Sequence, residues 1–416
     1  MNEYNKCIVY LDMFYPNMQG GETFLASEIG YCELAGVQKV IYPIWSKNGE
    51  DEVQLSGFDV VKGKKYGKRK KVLYGIKALG NSLTYSEIIE LFRSHRMGLH
   101  NIKTAIGFVA DGDYFSNVLV EYIKNNIKIG SEILLYSYWM HWDAYTALRT
   151  IDKLKGQYYF RVITRCHRYD VYEYAAKGNY LPARKYIING VEKILPISDN
   201  AKSYIMNRYN VGEDKFQLCR LGSFDHGISY SKKTGILQIL SCSWMRKVKR
   251  IDLICEALEK VDFPVEWTHI GSGEEEKRIK DRSRQIQNPY VKCHFMGALN
   301  NNEVIQYYLK HQVHIFLNVS ASEGVPVSVM EALSFGKPVI ATDVGGTGEI
   351  LNDGENGYIL PINFTLEELN EKLKRVSSME ENEYQKMCMN ARKIWEDKCD
   401  AEKQYHIFSA LLKEYL

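Results

Sequence analysis

Short, nearly unbroken apolar runs alternate with longer amphipathic stretches along the whole chain. "KCIVYLDMF" from Lys6 predicts a strand, "GGETFLASEIGYCELAG" from Gly20 a glycine-led helix, and "QKVIYPIW" from Gln38 the next strand. Strands apolar on both faces belong in a parallel sheet covered by helices, so this order predicts β-α-β units. The same order restarts late in the chain. "GILQILSCSW" predicts a strand, "IDLICEALEKV" a helix, and "VEWTHIGSG", "VHIFLNVS" and "KPVIATD" three further strands. Between the two series lies "SFDHGISYSKKTG" (223–235), polar and without apolar periodicity. The pattern therefore predicts an α/β protein of two Rossmann-like, doubly wound domains facing each other across a cleft. Their expected limits are 1–228 and 229–395, followed by a terminal segment, 396–416, of the sort that commonly packs back on the first domain in folds of this kind. Ligands of such sheets sit beyond the carboxyl ends of the strands, so the residues that follow strands are the candidates for chemistry.

Composition narrows the partners. The 416 residues are 45% hydrophobic and carry a net charge of +3. That balance is too mild for a protein that tracks nucleic-acid phosphates. Nine cysteines are scattered without a C-x-x-C pair, which fits thiols in a reducing cytoplasm and no structural zinc. The start lacks a basic region followed by an apolar stretch, and no run approaches the ~18 apolar residues of a membrane span. A cytoplasmic protein is expected.

The densest pattern is "SEGVPVSVMEALSFGKPVIATDVGGTGEI", 322–350. Pro326 suits the first position of a helix, because its missing N–H needs no partner there. The helix is expected to run to Phe335 and stop at Gly336. Its first free N–H groups, at Val327 and Ser328, suit a phosphate or sugar oxygen. Glu323 precedes that helix and Glu331 lies about one and a half turns inside it. Carboxylates so placed accept from hydroxyls of a sugar and of a ribose. Alternatively, Glu323 caps the helix and Glu331 is solvated.

The stretch resembles the glutamate-x7-glutamate signature of retaining, nucleotide-sugar-dependent glycosyltransferases of the GT-B fold, glycosyltransferase family 4. The likeness is dense over these residues and weaker, though continuous in order, over most of the chain. It implies that Glu323 contacts the transferred sugar, that the backbone of Gly324, Val325, Pro326 and Val327 contacts its hydroxyls or the phosphate, and that Glu331 binds the ribose. Upstream, "SCSWMRKVKRIDLICEAL" resembles the family's strand, basic loop and helix for the diphosphate, and Lys249 falls on the family's lysine. The expected arginine is replaced by Trp244, which leaves Arg246 or Arg250 as the second cation. Two phosphates gain charge as the sugar leaves, and cations must meet it. Gly271 in "HIGSGEEE" is either a phosphate-loop glycine or a tight turn. Met296 and Gly297, with Ala298, resemble the loop that holds the base. Gly345 and Gly346 either line the site or make a turn.

In the first half, Gly20 and Gly21 follow a strand and, by the resemblance, lie under the donor phosphates. "RVITRCHRYDVYE" ends a strand with Arg165, His167 and Asp170. His167 resembles the histidine placed against the donor sugar, and Arg165 and Asp170 either orient it or meet the acceptor. The aromatic run "YSYWMHWDAY" has no assigned role. "KGKKYGKRKK" carries Lys62, Lys64, Lys65, Lys68, Arg69, Lys70 and Lys71. It is either a solvated loop or a contact with anionic lipid, each cation contributing about 1 kcal/mol.

The resemblance thus implies transfer of a hexosyl unit, with retention, from a UDP- or GDP-linked sugar to a glycan or lipid-linked glycan in cell-surface polysaccharide biosynthesis, without metal or other cofactor. Lys249, Glu323 and His167 are the expected catalytic residues. Two alternatives are a non-catalytic glycan- or partner-binding protein of the same fold, which Trp244 favours, and a nucleotide-sugar epimerase.

Overall fold

A computed structural model describes residues 5–12, 22–43, 56–61 and 67–416, and for 22–24 the backbone alone. The chain divides into two units. The first comprises 1–219 and 405–416, the second 220–404. The division falls between Cys219 and Arg220 rather than after residue 228, because the polar segment beyond it is bonded into the second unit. Trp395 Nε1–H donates to Ser223 Oγ at 2.8 Å, Ser229 Oγ–H to the Tyr308 carbonyl at 2.6 Å, and Val313 N–H to Ser231 Oγ at 3.1 Å.

Six parallel strands make the sheet of the first unit: β1 (Lys6–Asp12), β2 (Gln38–Pro43), β3 (Asp59–Val60), β4 (Glu132–Ser137), β5 (Tyr159–Cys166) and β6 (Lys193–Pro196). Their order is β3-β2-β1-β4-β5-β6. Alternation along β1 divides its side chains between two cores. Cys7, Val9 and Leu11 pack with residues of α4 (Leu99–Asn126) and α5 (Trp142–Leu154), among them Phe108, Phe115, Leu119 and Leu148. Ile8 and Tyr10 pack on the other face with Leu25 and Ile29 of α1 (Glu22–Gly30) and with Phe408, Leu412 and Tyr415. The last three come from the final helix, Ala401–Tyr415.

The second unit repeats the plan with β7 (Leu237–Cys242), β8 (Val265–Ile270), β9 (Val291–Gly297), β10 (Ile315–Asn318), β11 (Val339–Thr342) and β12 (Gly357–Leu360), all parallel, in the order β12-β11-β10-β7-β8-β9. Each sheet reverses direction of growth once, between β1 and β4 in the first unit and between β7 and β10 in the second. Loops leaving the two strands at such a switch diverge and open a crevice. In the second unit those loops are 243–250 and 319–326.

Candidate active site

Lys249 sits in the loop leaving β7 and Glu323 in the loop leaving β10, and the switch brings them together. Lys249 Nζ lies 2.5 Å from Glu323 Oε1, and the Glu323 side chain is 9% exposed. Asn318 Nδ2–H donates to the same oxygen at 3.3 Å. The two loops are also tied through backbone, Ala321 N–H donating to the Val248 carbonyl at 2.8 Å.

Arg250 builds this frame instead of reaching a ligand. Its Nε donates to the Val319 carbonyl at 2.7 Å, Nη1 to Ile362 at 2.7 Å and Nη2 to Ser320 at 3.3 Å. A guanidinium spread over three carbonyls is committed to holding the β10 loop, which corrects its assignment to the diphosphate. Arg246, by contrast, is exposed, and among the described residues its side chain has no partner.

Glycines shape the same crevice by close backbone approach. A Cβ on Gly345, which has φ +57°, would meet the Glu323 carbonyl oxygen at 2.1 Å, and Gly346 N–H donates to the Gly324 carbonyl at 2.5 Å. The glycine pair is therefore the seat of the Glu323 loop. A Cβ on Gly271 would lie 1.9 Å from the Ser243 carbonyl oxygen, so that glycine serves the crossing of the β7 and β8 exits. Met245 N–H donates to the Ser272 carbonyl at 2.9 Å across the same crossing. This anchored backbone leaves the Trp244 side chain 61% exposed.

His269 completes the support and carried no signal beyond its place before "GSG". Trp267 Nε1–H donates to Ser241 Oγ at 2.9 Å, Ser241 Oγ lies 2.8 Å from His269 Nδ1, and His269 Nε2 lies 3.2 Å from the Ser243 carbonyl. Only one arrangement satisfies all four groups: the serine hydroxyl donates to Nδ1 and Nε2–H donates to the carbonyl. The ring is then neutral, in keeping with burial that lowers its pKa to about 4.

Glu331 stands in the helix Val327–Ser334, with Pro326 as its N-cap and Gly336 at φ +70° beyond its end. Proline thus precedes the first helical residue. The helical ladder opens with Val329 and Met330 N–H on the Pro326 carbonyl. Glu331 is half-buried, and Asn301 Nδ2–H donates to its Oε1 at 2.9 Å. Burial raises its pKa to about 7, against the lowering effect of Asn301. Asn301 thus positions the Glu331 carboxylate, and nothing in the local sequence pattern points to it. Met296 is exposed and Gly297 adopts φ +71°, its carbonyl accepting from Gly271 N–H at 2.8 Å.

In the first unit, His167 follows β5 and packs its ring, tilted, against residues that follow β4. Its ring centroid lies 4.7 Å from that of Tyr138 and 4.4 Å from that of Trp139. Among the described residues neither ring nitrogen has a hydrogen-bond partner. Burial, helped by the Arg165 cation, holds its pKa well below the ordinary value, so the ring is neutral. The aromatic run left without a role is the loop at this unit's switch strand. It also supplies His141, whose Nδ1 is buried without a partner among the described residues.

Asp170 orients this loop: its Oδ1 accepts from His167 N–H and its Oδ2 from Met140 N–H, both at 2.6 Å. Arg165 is fully buried and paired with Glu28 at 2.8 Å, its guanidinium 4.7 Å from the Phe408 ring centroid. Neither residue is placed to meet an acceptor, which corrects that half of their expected role. Gly20 and Gly21 lie outside the described residues.

The chain is similar to known proteins in sequence and in fold. Residues 229–394 match the model of the family Glycosyl transferases group 1. The uncharacterized glycosyltransferase MJ1178 of Methanocaldococcus jannaschii is 26% identical over 270 residues, spanning 61% of this chain and 66% of that protein. Two solved structures align over the length of the chain. The lipopolysaccharide outer core galactosyltransferase WaaB gives a TM-score of 0.70 at 16% identity, covering 98% of this chain and 99% of its own. Anabaena HepE in complex with UDP and glucose gives 0.64 at 14%, with the same coverage of both chains. The fold is thus that of GT-B proteins, two Rossmann-like units each with a switch-point crevice. Through residues 229–394 the chain is similar to glycosyl transferases group 1.

Proposed function

We propose that the protein moves a hexosyl unit from a UDP- or GDP-linked sugar to a glycan or lipid-linked glycan in cell-surface polysaccharide assembly, with retention at the anomeric carbon. The observation that carries this reading is the Lys249–Glu323 pair, 2.5 Å apart at the switch point, with Glu331 on the next helix. A cation and two acceptor carboxylates match the diphosphate, the sugar hydroxyls and the ribose diol of one donor. The names of WaaB and HepE support a nucleotide-linked hexose and a surface glycan.

In this reaction the bond from the anomeric carbon to the diphosphate breaks while the acceptor oxygen bonds to that carbon on the same face. The acceptor proton passes to a diphosphate oxygen. No nucleophilic side chain is required, and positioning with charge stabilisation supplies the rate. Lys249 and Arg246 meet the charge growing on the leaving group, Glu323 orients the sugar and Glu331 the ribose. We assign the base to the backbone at Met296 and Gly297, and a carbohydrate contact to His167. No metal enters this scheme, and turnover is expected to survive a chelator. Among the described residues no helix is long and apolar enough to cross a membrane, and we propose a cytoplasmic protein that associates peripherally.

Incubation with α-linked UDP- and GDP-hexoses and a glycan acceptor, with the product's anomeric configuration read by NMR, tests the reading. An α-linked product is expected. A β-linked product overturns retention, and a protein that neither binds nor turns over any nucleoside diphosphate sugar overturns the whole assignment. Thermal shift separates the bases, since a ligand at a hundred times its dissociation constant stabilises by about 2.7 kcal/mol.

A further inference from the structure

Of the 23 large hydrophobic residues exposed among the described residues, nine fall between Val72 and Leu99. This segment is α2 (Lys68–Leu79), α3 (Ser82–Arg93), the turn after it and the start of α4. Both α2 and α3 pack against α4. α2 turns Ala78, with half-buried Tyr74, inward, and its opposite face carries Val72, Ile76 and Leu79, 63%, 62% and 49% exposed. α3 buries Thr84, Glu87 and Leu91 and leaves Tyr85, Ile89 and Phe92 outside at i, i+4 and i+7. Met97 and Leu99, between α3 and the first turn of α4, are exposed as well. A strip with this spacing normally faces a core, and here it faces outward.

The charge around the strip has one sign. α2 contains Lys68, Arg69, Lys70, Lys71 and Lys77 and no acid. α3 has two acids, and both are engaged elsewhere: Glu87 is buried and accepts from Tyr180, and Glu90 pairs with Lys185 at 2.9 Å. Four cations in the first turn of α2 also oppose the helix dipole, a cost that an adjacent anionic surface removes. Apolar side chains flanked by lysine and arginine, on helices too short to span, are the pattern of a segment lying in the bilayer interface.

We infer that α2 and α3 form a membrane-docking surface that inserts Val72, Ile76, Leu79, Ile89 and Phe92 among the acyl chains of an anionic leaflet while Lys68–Lys71 meet its headgroups. This deepens the peripheral association proposed above and rests on that part of the reading. It changes the basis of the contact. A purely electrostatic loop would leave the membrane at high salt, whereas the apolar strip retains part of the binding. Lys62, Lys64 and Lys65 lie outside the described residues.

The test is co-sedimentation of the full chain with phosphatidylcholine vesicles with and without phosphatidylglycerol, at low and high salt. Wild type is expected to bind the anionic vesicles. The triple variant V72S/I76S/F92S is expected to bind roughly tenfold more weakly at both salt concentrations. Replacing Lys68, Arg69, Lys70 and Lys71 by Gln is expected to remove the salt-sensitive part alone. All these side chains are exposed, so the unfolding temperatures of the variants should match wild type. They lie in the first unit, so thermal shift by UDP or GDP should be unchanged, and that readout reports on the donor assignment independently. Absence of wild-type binding, or binding unaltered by the triple substitution, overturns the inference. So does a wild-type dimer by light scattering that the triple variant dissolves, since a second copy would then be the occupant of the strip.

Discussion

Gly345 lies against Glu323 so closely that a Cβ would stand 2.1 Å from the Glu323 carbonyl oxygen and 2.7 Å from that of Gly324. With φ at +57°, the position also disfavours any L side chain by about 1 kcal/mol. Gly345→Ala must therefore lift the loop that carries the carboxylate. The expected result is turnover reduced by about 10²-fold, the scale of a 1 Å misplacement of a reacting group. Gly354 is the control: its φ is +80°, but a Cβ there meets nothing within 4 Å. Gly354→Ala should lower the unfolding temperature by a few degrees and leave turnover intact. Equal loss of turnover in the two variants would refute the role given to Gly345.

The ion pair makes a prediction with two signs. Lys249 is held by Glu323 before any diphosphate arrives, so the carboxylate and the ligand compete for one ammonium group. Lys249→Met should weaken binding of a free nucleoside diphosphate by about tenfold or more, as loss of a charged hydrogen bond does. Glu323→Gln should tighten the same binding while lowering turnover at least tenfold, about 1.4 kcal/mol. Calorimetric titration with UDP or GDP and initial rates with the sugar donor read the two effects separately. Weaker diphosphate binding in Glu323→Gln would mean that the pair does not compete.

Local pattern made the strands and helices legible, as with "VHIFLNVS", whose Ile315–Asn318 is buried throughout. It did not disclose strand order, because neighbours such as β7 and β10 are far apart in sequence. That order is what sets Lys249 against Glu323. Arg250 and Arg165 illustrate the same limit. Each reads as a cation after or within a strand, and nothing local says that one is consumed by the carbonyls of Val319, Ser320 and Ile362 and the other by Glu28. Trp139 and His141 had a usable signal, since an aromatic run directly after a strand of a parallel sheet falls where ligands bind. Recognising it as the switch strand required the pairing of β1 with β4.

Burial of the Arg165–Glu28 pair leads to a stability prediction. Both side chains are fully buried, and Tyr136 Oη–H donates to the second carboxylate oxygen at 2.9 Å. Removing one member of such a pair strands the other's charge away from water. Arg165→Ala should destabilise the protein by about 3–5 kcal/mol. Arg165→Met with Glu28→Leu should recover much of that loss, because a well-packed apolar pair of similar volume avoids desolvation. Urea unfolding of the three proteins checks this. A single Arg165 variant of wild-type stability whose acceptor KM alone has changed would return the residue to the site.

Glu331 links acidity to donor binding through a shift whose sign can be followed. Burial raises its pKa from the ordinary 4.5 to about 7, so the folded protein holds a proton that the unfolded chain releases near pH 4.5. Its contribution to stability is complete below pH 4.5, falls as the pH rises toward about 7, and is lost above. Nucleotide binding runs the other way, because a ribose diol donates more strongly to the charged carboxylate than to the protonated acid. UDP or GDP affinity should therefore rise between about pH 6 and pH 8. Glu331→Gln should flatten that rise and weaken binding about tenfold. Asn301→Ala removes the hydrogen bond that favours the charged form, so the inflection should move to higher pH, a displacement that mere loss of packing would not produce. Isothermal titration across this range reads all three profiles, and an unchanged inflection in Asn301→Ala would exclude Asn301 as the residue that tunes Glu331.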